Sequence, residues 1–137
     1  MDVNFPWSKL GIQQEIEKKR GSYWITIPNS DVVSAASVMM EFGARLVTMT
    51  AQQIPGEKEC DLEYHWDVEG NLYTFKTKTK EYKLDSIIGI CPGADWAERE
   101  IHDYYAVVFE GRESLEPLML RKSDPPGLFH SNGKGNP

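Results

Sequence analysis

The chain has 137 residues and a formal net charge of −6, from 15 Lys and Arg against 21 Asp and Glu. Hydrophobic residues make up 40% and charged residues 26%, which is typical of a single globular domain and argues against a disordered or fibrous class. The acidic balance also argues against direct binding of nucleic acid or of anionic lipid, since both require clustered Lys and Arg.

The sequence predicts a cytosolic protein. The longest apolar runs, "SIIGIC" and "VVSAASVMM", fall well short of the ~20 residues that cross a bilayer. The N-terminal "MDVNFPWSK" has no apolar stretch after it and does not resemble a signal peptide. Cys60 and Cys91 lie far apart without a CxxC pair, so both are expected to be reduced thiols.

The first third of the chain predicts a helix, a strand and a second helix. Residues 8–21 have helix formers between a Ser and a Gly, which predicts a helix. "SYWITIP", residues 22–28, is rich in aromatic and β-branched residues and predicts a strand that Pro28 ends. Residues 29–43 begin with capping residues, carry apolar residues at helical spacing and end at Gly43, which predicts the second helix.

The middle of the chain predicts strands. Residues 45–52 form the next strand, and residues 61–80 alternate apolar and polar side chains around a Gly70-Asn71 turn, which predicts a hairpin with one wet face. His65 lies on that polar face, so a solvated histidine is favoured over a metal ligand. Residues 83–92 predict a last strand, followed by a helix that leads into "VVFEG".

This order of elements predicts a two-layer α/β (α+β) sandwich, in which an antiparallel or mixed sheet of four to five strands packs against helices. Residues 1–120 are expected to form a single domain. Residues 121–137, "RKSDPPGLFHSNGKGNP", are rich in Pro and Gly and predict a C-terminal arm without helix or strand.

The last helix, within "ADWAEREIHDYYAVVFEG", carries the densest polar chemistry of the sequence. Asp95 followed three residues later by Glu98 is typical of an N-terminal capping box. The helical period predicts that the charged residues cover most of the helix and that one stripe faces the core. That stripe comprises Ala97, Ile101, Tyr104 and Val108.

The spacing of these residues gives little support to a metal site or to catalysis. Glu98 and His102, four residues apart, could reach one ion, but an HExxH pattern and a third ligand are missing. Neighbouring acids on a helix point in different directions, and neither a nucleophile nor a phosphate-binding Gly loop accompanies them. The sequence therefore predicts no catalytic residue and no bound metal or cofactor.

Two interpretations of this helix stay open. In the first, it is a solvated face with an Arg99–Asp103 pair that contributes a few tenths of a kcal/mol. In the second, the aromatic residues Trp96, Tyr104, Tyr105 and Phe109 beside the charges mark a surface that a partner protein covers, because aromatic residues and Arg enrich interface cores.

The stretch "LDSIIGICPGADWAEREIHDYYAVVFEG" resembles the signature region of the 30 kDa subunit family of respiratory complex I. In that family a Ser-containing strand leads to Ala-x-Trp, an acidic-Arg-acidic helix, an aromatic pair and Phe-x-Gly. "PLMLRKSDPPG" is similar to the family's Pro-Leu-Arg-Lys-Asp region, and the resemblance covers most of the chain. The partner-binding residues that it implies are Trp96, Glu98, Arg99, Glu100, His102, Asp103, Phe109, Gly111, Arg121 and Lys122.

The resemblance implies a cofactor-free structural subunit in the peripheral arm of a membrane-bound, ion-translocating oxidoreductase complex, on the cytoplasmic side. Its expected partners are a large subunit, NiFe-bearing or carrying the quinone site, and a small iron-sulfur subunit. The NiFe centre and iron-sulfur clusters would belong to those partners. The chain itself would be no enzyme, would bind no nucleic acid and would reach the membrane only through its partners.

Some positions depart from the family pattern. The usual Gly is Ala106, the usual His-Pro is Arg112-Glu113, and the segment between the two motifs is shorter. Ile101-His102 before Asp103 is more similar to the corresponding subunit of membrane-bound, energy-converting (Ech-type) NiFe hydrogenases, which favours that branch over NADH:quinone oxidoreductase. A free-standing cytosolic binding domain or small enzyme is the alternative from another class.

Overall fold

A computed structural model describes residues 16–19 and 21–112 of the chain. Short 3-10 turns at Asn29–Asp31 and Pro92–Ala94 precede the two helices. In chain order, the helices and strands are β1 (Ile16–Lys19), β2 (Ser22–Thr26), α1 (Val32–Glu41), β3 (Arg45–Gln53), β4 (Cys60–Val68), β5 (Asn71–Lys78), β6 (Lys83–Asp85), α2 (Asp95–Tyr105) and β7 (Val108–Glu110).

The first five strands form one mixed sheet in the order β1-β2-β5-β4-β3. β2 and β5 are parallel, and the other neighbours are antiparallel. The parallel pair is possible because α1 and the β3–β4 hairpin form a long connection between its two strands. Helices α1 and α2 contribute buried residues to the same core as the sheet. The predicted sheet of four to five strands packed against helices is confirmed.

One face of the sheet forms the core. Trp66 on β4 and Phe75 on β5 are almost fully buried, and their rings lie 6.2 Å apart. Burying each large apolar side chain contributes about 1.5–3 kcal/mol, so this face is the main source of stability. The buried residues of β4 are Cys60, Leu62, Tyr64, Trp66 and Val68. Those that α1 adds are Val32, Ala35, Ala36, Val38 and Met39.

The β4–β5 hairpin turns at Glu69 and Gly70, one residue before the predicted position. Their φ values are 52° and 88°, as a two-residue type I′ turn requires. The Gly70 N–H donates to Asp67 Oδ1 over 2.8 Å. Asn71 is the first residue of β5 and lies opposite Val68, so the hairpin is confirmed with its turn shifted by one residue.

β6 and β7 form a separate two-stranded parallel sheet. β6 ends at Asp85, so the predicted strand over residues 83–92 is wrong beyond that residue. The chain turns there because the Cys91 N–H donates to the Ile87 carbonyl over 2.7 Å. The Ser86 N–H donates to the Glu110 carbonyl over 2.8 Å, which ties this turn to the end of β7.

The predicted helix over residues 8–21 is wrong for residues 16–19, which form β1. β1 pairs with β2 in antiparallel register, Ile16 opposite Ile25, and Gly21 in the connection has a φ of 78°. Helix propensity is a weak preference that strand pairing overrides, and the apolar residues of this stretch are only loosely periodic. The rest of the predicted helix, up to residue 15, lies outside the described residues.

The predicted strands and helix over residues 22–28, 29–43 and 45–52 are confirmed as β2, α1 and β3. The predicted arm, 121–137, lies outside the described residues, together with Arg121 and Lys122. Neither of the α-helices that the structure describes has the length and apolar character needed to traverse a bilayer.

Candidate functional site

Helix α2 begins at Asp95, directly after the 3-10 turn Pro92–Ala94. Ala94 occupies the N-cap position, and no side chain caps the first amides of the helix. The predicted capping box of Asp95 and Glu98 is therefore wrong. Glu98 points into the interior instead, because three donors on other segments surround its carboxylate there.

Glu98 is the buried centre of the site, with 0% of its surface exposed. Its Oε1 accepts a hydrogen bond from Ser86 Oγ over 2.6 Å, and its Oε2 accepts one from the Ile87 N–H over 2.9 Å. Arg112 Nη1 also donates to Oε1, over 3.1 Å. One carboxylate therefore joins α2 both to the turn after β6 and to the residue that follows Gly111.

Arg112 supplies the positive charge for this buried carboxylate. Its side chain is 7% exposed and contacts both Glu98 and Asp95, while Asp95 also pairs with Arg99 at 3.7 Å. Leaving one buried charge without its partner costs about 3–5 kcal/mol, so Glu98 depends on Arg112. The sequence patterns did not predict this role. The signal that the sequence offered was a basic residue directly after Gly111, close along the chain to an acidic helix.

The burial of Glu98 is reflected in the pKa values of Glu98 itself and of a nearby tyrosine. Burial raises the pKa of Glu98, and the hydrogen bonds from Ser86, Ile87 and Arg112 counteract part of that rise. Burial, and secondarily the charge of Glu98, raise the pKa of Tyr64 on β4 well above its ordinary value. A carboxylate with no exposed surface has no path to a substrate, so this arrangement suits anchoring rather than acid/base catalysis.

The predicted core-facing stripe of α2 is confirmed in part, because Ile101 is buried and Ala97 packs against the core. The helix also buries Glu98 and Asp103, which the stripe did not include. From that stripe, Tyr104 is only half-buried, and Val108 lies on β7 with 39% of its surface exposed. Hydrophobic periodicity assigned Glu98 to the surface because of its charge. The ion pair with Arg112 reverses that assignment.

The other side of α2 carries an exposed indole. Trp96 is 64% exposed, more than any other large hydrophobic residue in the described ranges. Arg99 and Glu100 flank it and are half-buried. Asp103, two turns further along the same side, is 2% exposed. Arg99 pairs with Asp95, one turn earlier on the helix, at 3.7 Å.

His102 and Ala106 close the C-terminal end of α2. His102 Nδ1 donates to the Val107 carbonyl over 2.8 Å. The Ala106 N–H donates to the His102 carbonyl over 2.9 Å, and Ala106 has the left-handed φ of 59°. Glycine is the residue that adopts this conformation most readily at a helix end, which gives a physical reason for the Gly of the family pattern at this position.

A metal site finds no support in residues 16–19 and 21–112, where no three His, Cys, Asp or Glu side chains are grouped to hold an ion. His65 lies on the polar face of β4, as predicted, but it is half-buried rather than solvated and contacts Thr74 at 2.9 Å and Thr50 at 3.3 Å. Burial lowers the pKa of His65, although Glu63, 3.4 Å away, acts to raise it.

Three of the residues expected to bind a partner are buried in the interior of the domain. Glu98, Asp103 and Phe109 are 0%, 2% and 2% exposed, so they cannot present a surface to a partner. Arg121 and Lys122 lie outside the described residues. The predicted residues that keep exposed surface are Trp96, Arg99, Glu100, His102 and Gly111.

Comparison with known proteins gives a consistent family assignment. The family described as "Respiratory-chain NADH dehydrogenase, 30 Kd subunit" matches residues 25–130. A subunit of the NADH-quinone oxidoreductase of Mesorhizobium japonicum is 48% identical over 65 residues, which cover 45% of this chain and 32% of that protein. The alignments with the first three curated relatives cover between 9% and 38% of their lengths.

Two solved structures share the architecture. A chain of the membrane-bound sulfane sulfur reductase (MBS), an archaeal respiratory membrane complex, matches with a TM-score of 0.73 and 27% identity, over 85% of this chain and 73% of that chain. A trypsin-resistant fragment of Nqo5 matches with a TM-score of 0.68 and 18% identity, over 84% of this chain and 100% of that chain. The second likeness concerns the fold alone.

Proposed function

The chain belongs to the respiratory-chain NADH dehydrogenase 30 Kd subunit family, and we propose that it is a cofactor-free assembly subunit of a membrane-bound, ion-translocating oxidoreductase complex. It lies in the peripheral arm on the cytoplasmic side and has no catalytic residue of its own. Its partners are the large subunit, which carries the NiFe centre or the quinone site, and the small iron-sulfur subunit.

The observation that carries this proposal is the family match across α2, together with the structure of that helix, which is buried on one side and exposed on the other. Glu98 anchors one side inside the domain, so α2 is held rigidly. The other side presents Trp96, 64% exposed, next to Arg99 and Glu100. Tryptophan and Arg are the residues that most often dominate binding energy at interfaces. This second side, defined by Trp96, Arg99 and Glu100, is the proposed docking side of α2.

Within this family we place the complex in the branch of energy-converting (Ech-type) NiFe hydrogenases. Ile101-His102 before Asp103 supports this choice through its resemblance to that branch. The likeness to a chain of MBS supports only the wider point that this fold also occurs in a respiratory membrane complex that is not named an NADH dehydrogenase.

A subunit of NADH:quinone oxidoreductase is the second candidate, and the names of the curated relatives support it. The alternative from another class, a free-standing binding domain or small enzyme, would need α2 as its site. The enclosure of Glu98 argues against that use of the helix.

Affinity purification of the tagged chain from detergent-solubilised native membranes tests the proposal. The expected result is stoichiometric recovery with a large and a small subunit, together with nickel and hydrogen-dependent reduction of a viologen dye. Recovery with flavin-containing subunits and NADH:quinone activity would replace the hydrogenase branch by the second candidate. Recovery of the chain as a monomer with an activity of its own would overturn the whole proposal.

A further inference from the structure

The first turn of α2 places an exposed indole among charged side chains. Trp96 is 64% exposed, and Asp95 precedes it with 45% of its side chain exposed. Arg99 and Glu100 follow three and four residues after Trp96, which brings both next to it on the helix surface. The charges of these neighbours therefore decide which kind of surface can cover the indole.

The two arginines of this region are balanced within the domain. Arg99 Nη1 lies 3.7 Å from Asp95 Oδ2, while Arg112 contacts Asp95 Oδ1. Arg112 also donates to the buried Glu98 over 3.1 Å, and its own side chain is 7% exposed. Carboxylates of α2 itself thus engage both guanidinium groups.

Glu100 carries a negative charge that neither arginine of this region balances. Among the residues that the structure describes, it has no ion-pair partner. Asp95 and Glu98 already engage the two guanidinium groups, so one net negative charge remains in the region. Because Glu100 lies one turn after Trp96, this charge is next to the indole. The exposed surface is therefore apolar at the indole and acidic beside it.

We propose that the docking side of α2 fits a partner surface of one chemistry, an apolar pocket for the Trp96 indole with Lys or Arg on the rim next to Glu100. A basic rim is the electrostatic complement of an unbalanced carboxylate. A second copy of this chain fits poorly, because at a net charge of −6 per chain it would bring carboxylates against carboxylates. This inference rests on the proposed function, in which the large subunit is the partner.

The association and dissociation rates of the full-length chain with the purified large subunit, measured at low and at high salt, test this chemistry. The central variants are Glu100→Lys, which reverses the charge beside the indole, and Glu100→Gln, which only removes it. Glu41→Lys is the matched control, because Glu41 is an exposed carboxylate on α1 and its reversal changes the net charge equally. The free energy of unfolding of each variant is measured in parallel.

We expect all three variants to remain folded. Glu100→Lys should lower the association rate about tenfold at low ionic strength and Glu100→Gln about threefold, with little change in the dissociation rate, because a rim charge acts mainly on association. At ~1 M salt, where the Debye length is about 3 Å, both differences should fall below about twofold. Glu41→Lys should associate within about twofold of the wild-type rate at both salt concentrations.

An association rate of Glu100→Lys at low salt that equals or exceeds that of the wild type would overturn the basic rim. Equal effects of Glu100→Lys and Glu41→Lys would also overturn it, because net charge alone would then account for both. Self-association of the wild-type chain that Trp96→Ala abolishes would replace the basic partner by a second copy. Failure of the wild-type chain to bind the large subunit is a different result: it removes the proposed function, and this inference with it.

Discussion

Ala106 occupies a backbone conformation that glycine adopts at lower cost. Its φ of 59° lies in the left-handed region, where a side chain costs about 1–2 kcal/mol. Ala106→Gly should therefore raise the free energy of unfolding, by about 0.5–1 kcal/mol after allowing for the greater freedom of glycine in the unfolded chain. Urea unfolding of the two proteins measures this difference.

Ala97→Gly is the matched control, because Ala97 lies inside α2, where glycine costs about 1 kcal/mol. The two alanine-to-glycine changes should thus shift stability in opposite directions. A loss of stability in both variants would show that the left-handed conformation of Ala106 carries no strain.

Glu81 and Tyr82 form a second strained turn, between β5 and β6, with φ values of 55° and 58°. The Glu59 carboxylate stabilises this turn, since it accepts hydrogen bonds from the Glu81 N–H over 2.7 Å and from the Tyr82 N–H over 3.2 Å. The Thr79 hydroxyl donates to the same carboxylate. Stability of the turn should therefore depend on the ionisation of Glu59.

Burial acts to raise the pKa of Glu59, but the hydrogen bonds from Thr79, Glu81 and Tyr82 outweigh it and leave the folded-state pKa lowered. Such a carboxyl contributes stability above its unfolded pKa, about 4.3, and loses that contribution as the pH falls through the folded-state pKa. Glu59→Gln should therefore lower the free energy of unfolding near neutral pH and flatten its decline in acid. Urea unfolding as a function of pH measures both effects.

Asp61→Asn provides the comparison for this pH dependence, because Asp61 is an exposed carboxylate on the neighbouring β4. This variant should keep the acid decline of the wild type. An equally steep decline in Glu59→Gln and in the wild type would remove Glu59 as a source of the acid sensitivity.

Trp96 on helix α2 should contribute to association and little to the stability of the domain. Trp96→Ala should change the free energy of unfolding by no more than about 0.5 kcal/mol, because the side chain is 64% exposed. It should weaken binding to the large subunit by at least about tenfold, because tryptophan side chains often dominate the binding energy of an interface. Unfolding and binding of the same protein preparation provide the two measurements.

Val47→Ala is the control for Trp96→Ala, since Val47 is also exposed, at 45%, but lies on β3. It should leave binding to the large subunit unchanged. Equal effects of the two variants would mean that the docking side of α2 has no special role.

Elements with strong local patterns could be predicted from the sequence, whereas elements set by distant contacts could not. The β4–β5 hairpin follows from alternation and a Gly-containing turn, and α1 follows from apolar spacing and Gly43. β1 is a strand because β2 pairs with it. The predicted position of α2 and the inward side of Ile101 agree with the structure. The burial of Glu98 was missed, because donors on other segments turn it inward.

The candidate site shows the same division between local patterns, which the sequence reveals, and distant contacts, which it does not. The sequence placed Trp96, Arg99 and Glu100 together on one helix, and the structure keeps exposed surface on all three. The sequence could not show that Arg112 pairs with Glu98, since the pair forms only when β7 returns the chain to the start of α2. Charge alone does not tell a buried ion pair from a solvated one.

At the scale of the whole molecule, the described residues fit the proposed role as one part of a larger assembly. In the described residues, one face of the sheet and two helices share one core, while α2 presents an exposed indole. Large exposed aromatic side chains beside charged residues are typical of protein–protein contacts. We therefore expect the chain to exist in cells as a subunit and not as a free monomer.

The mass of the particle that contains the chain, measured by native mass spectrometry of gently solubilised native membranes, tests this central claim most directly. We expect the chain in a particle of several different subunits, in equal stoichiometry with a large subunit, and only a minor amount free. Recovery of nearly all the chain at its monomer mass of 15.6 kDa, under conditions that keep other membrane complexes intact, would contradict the account.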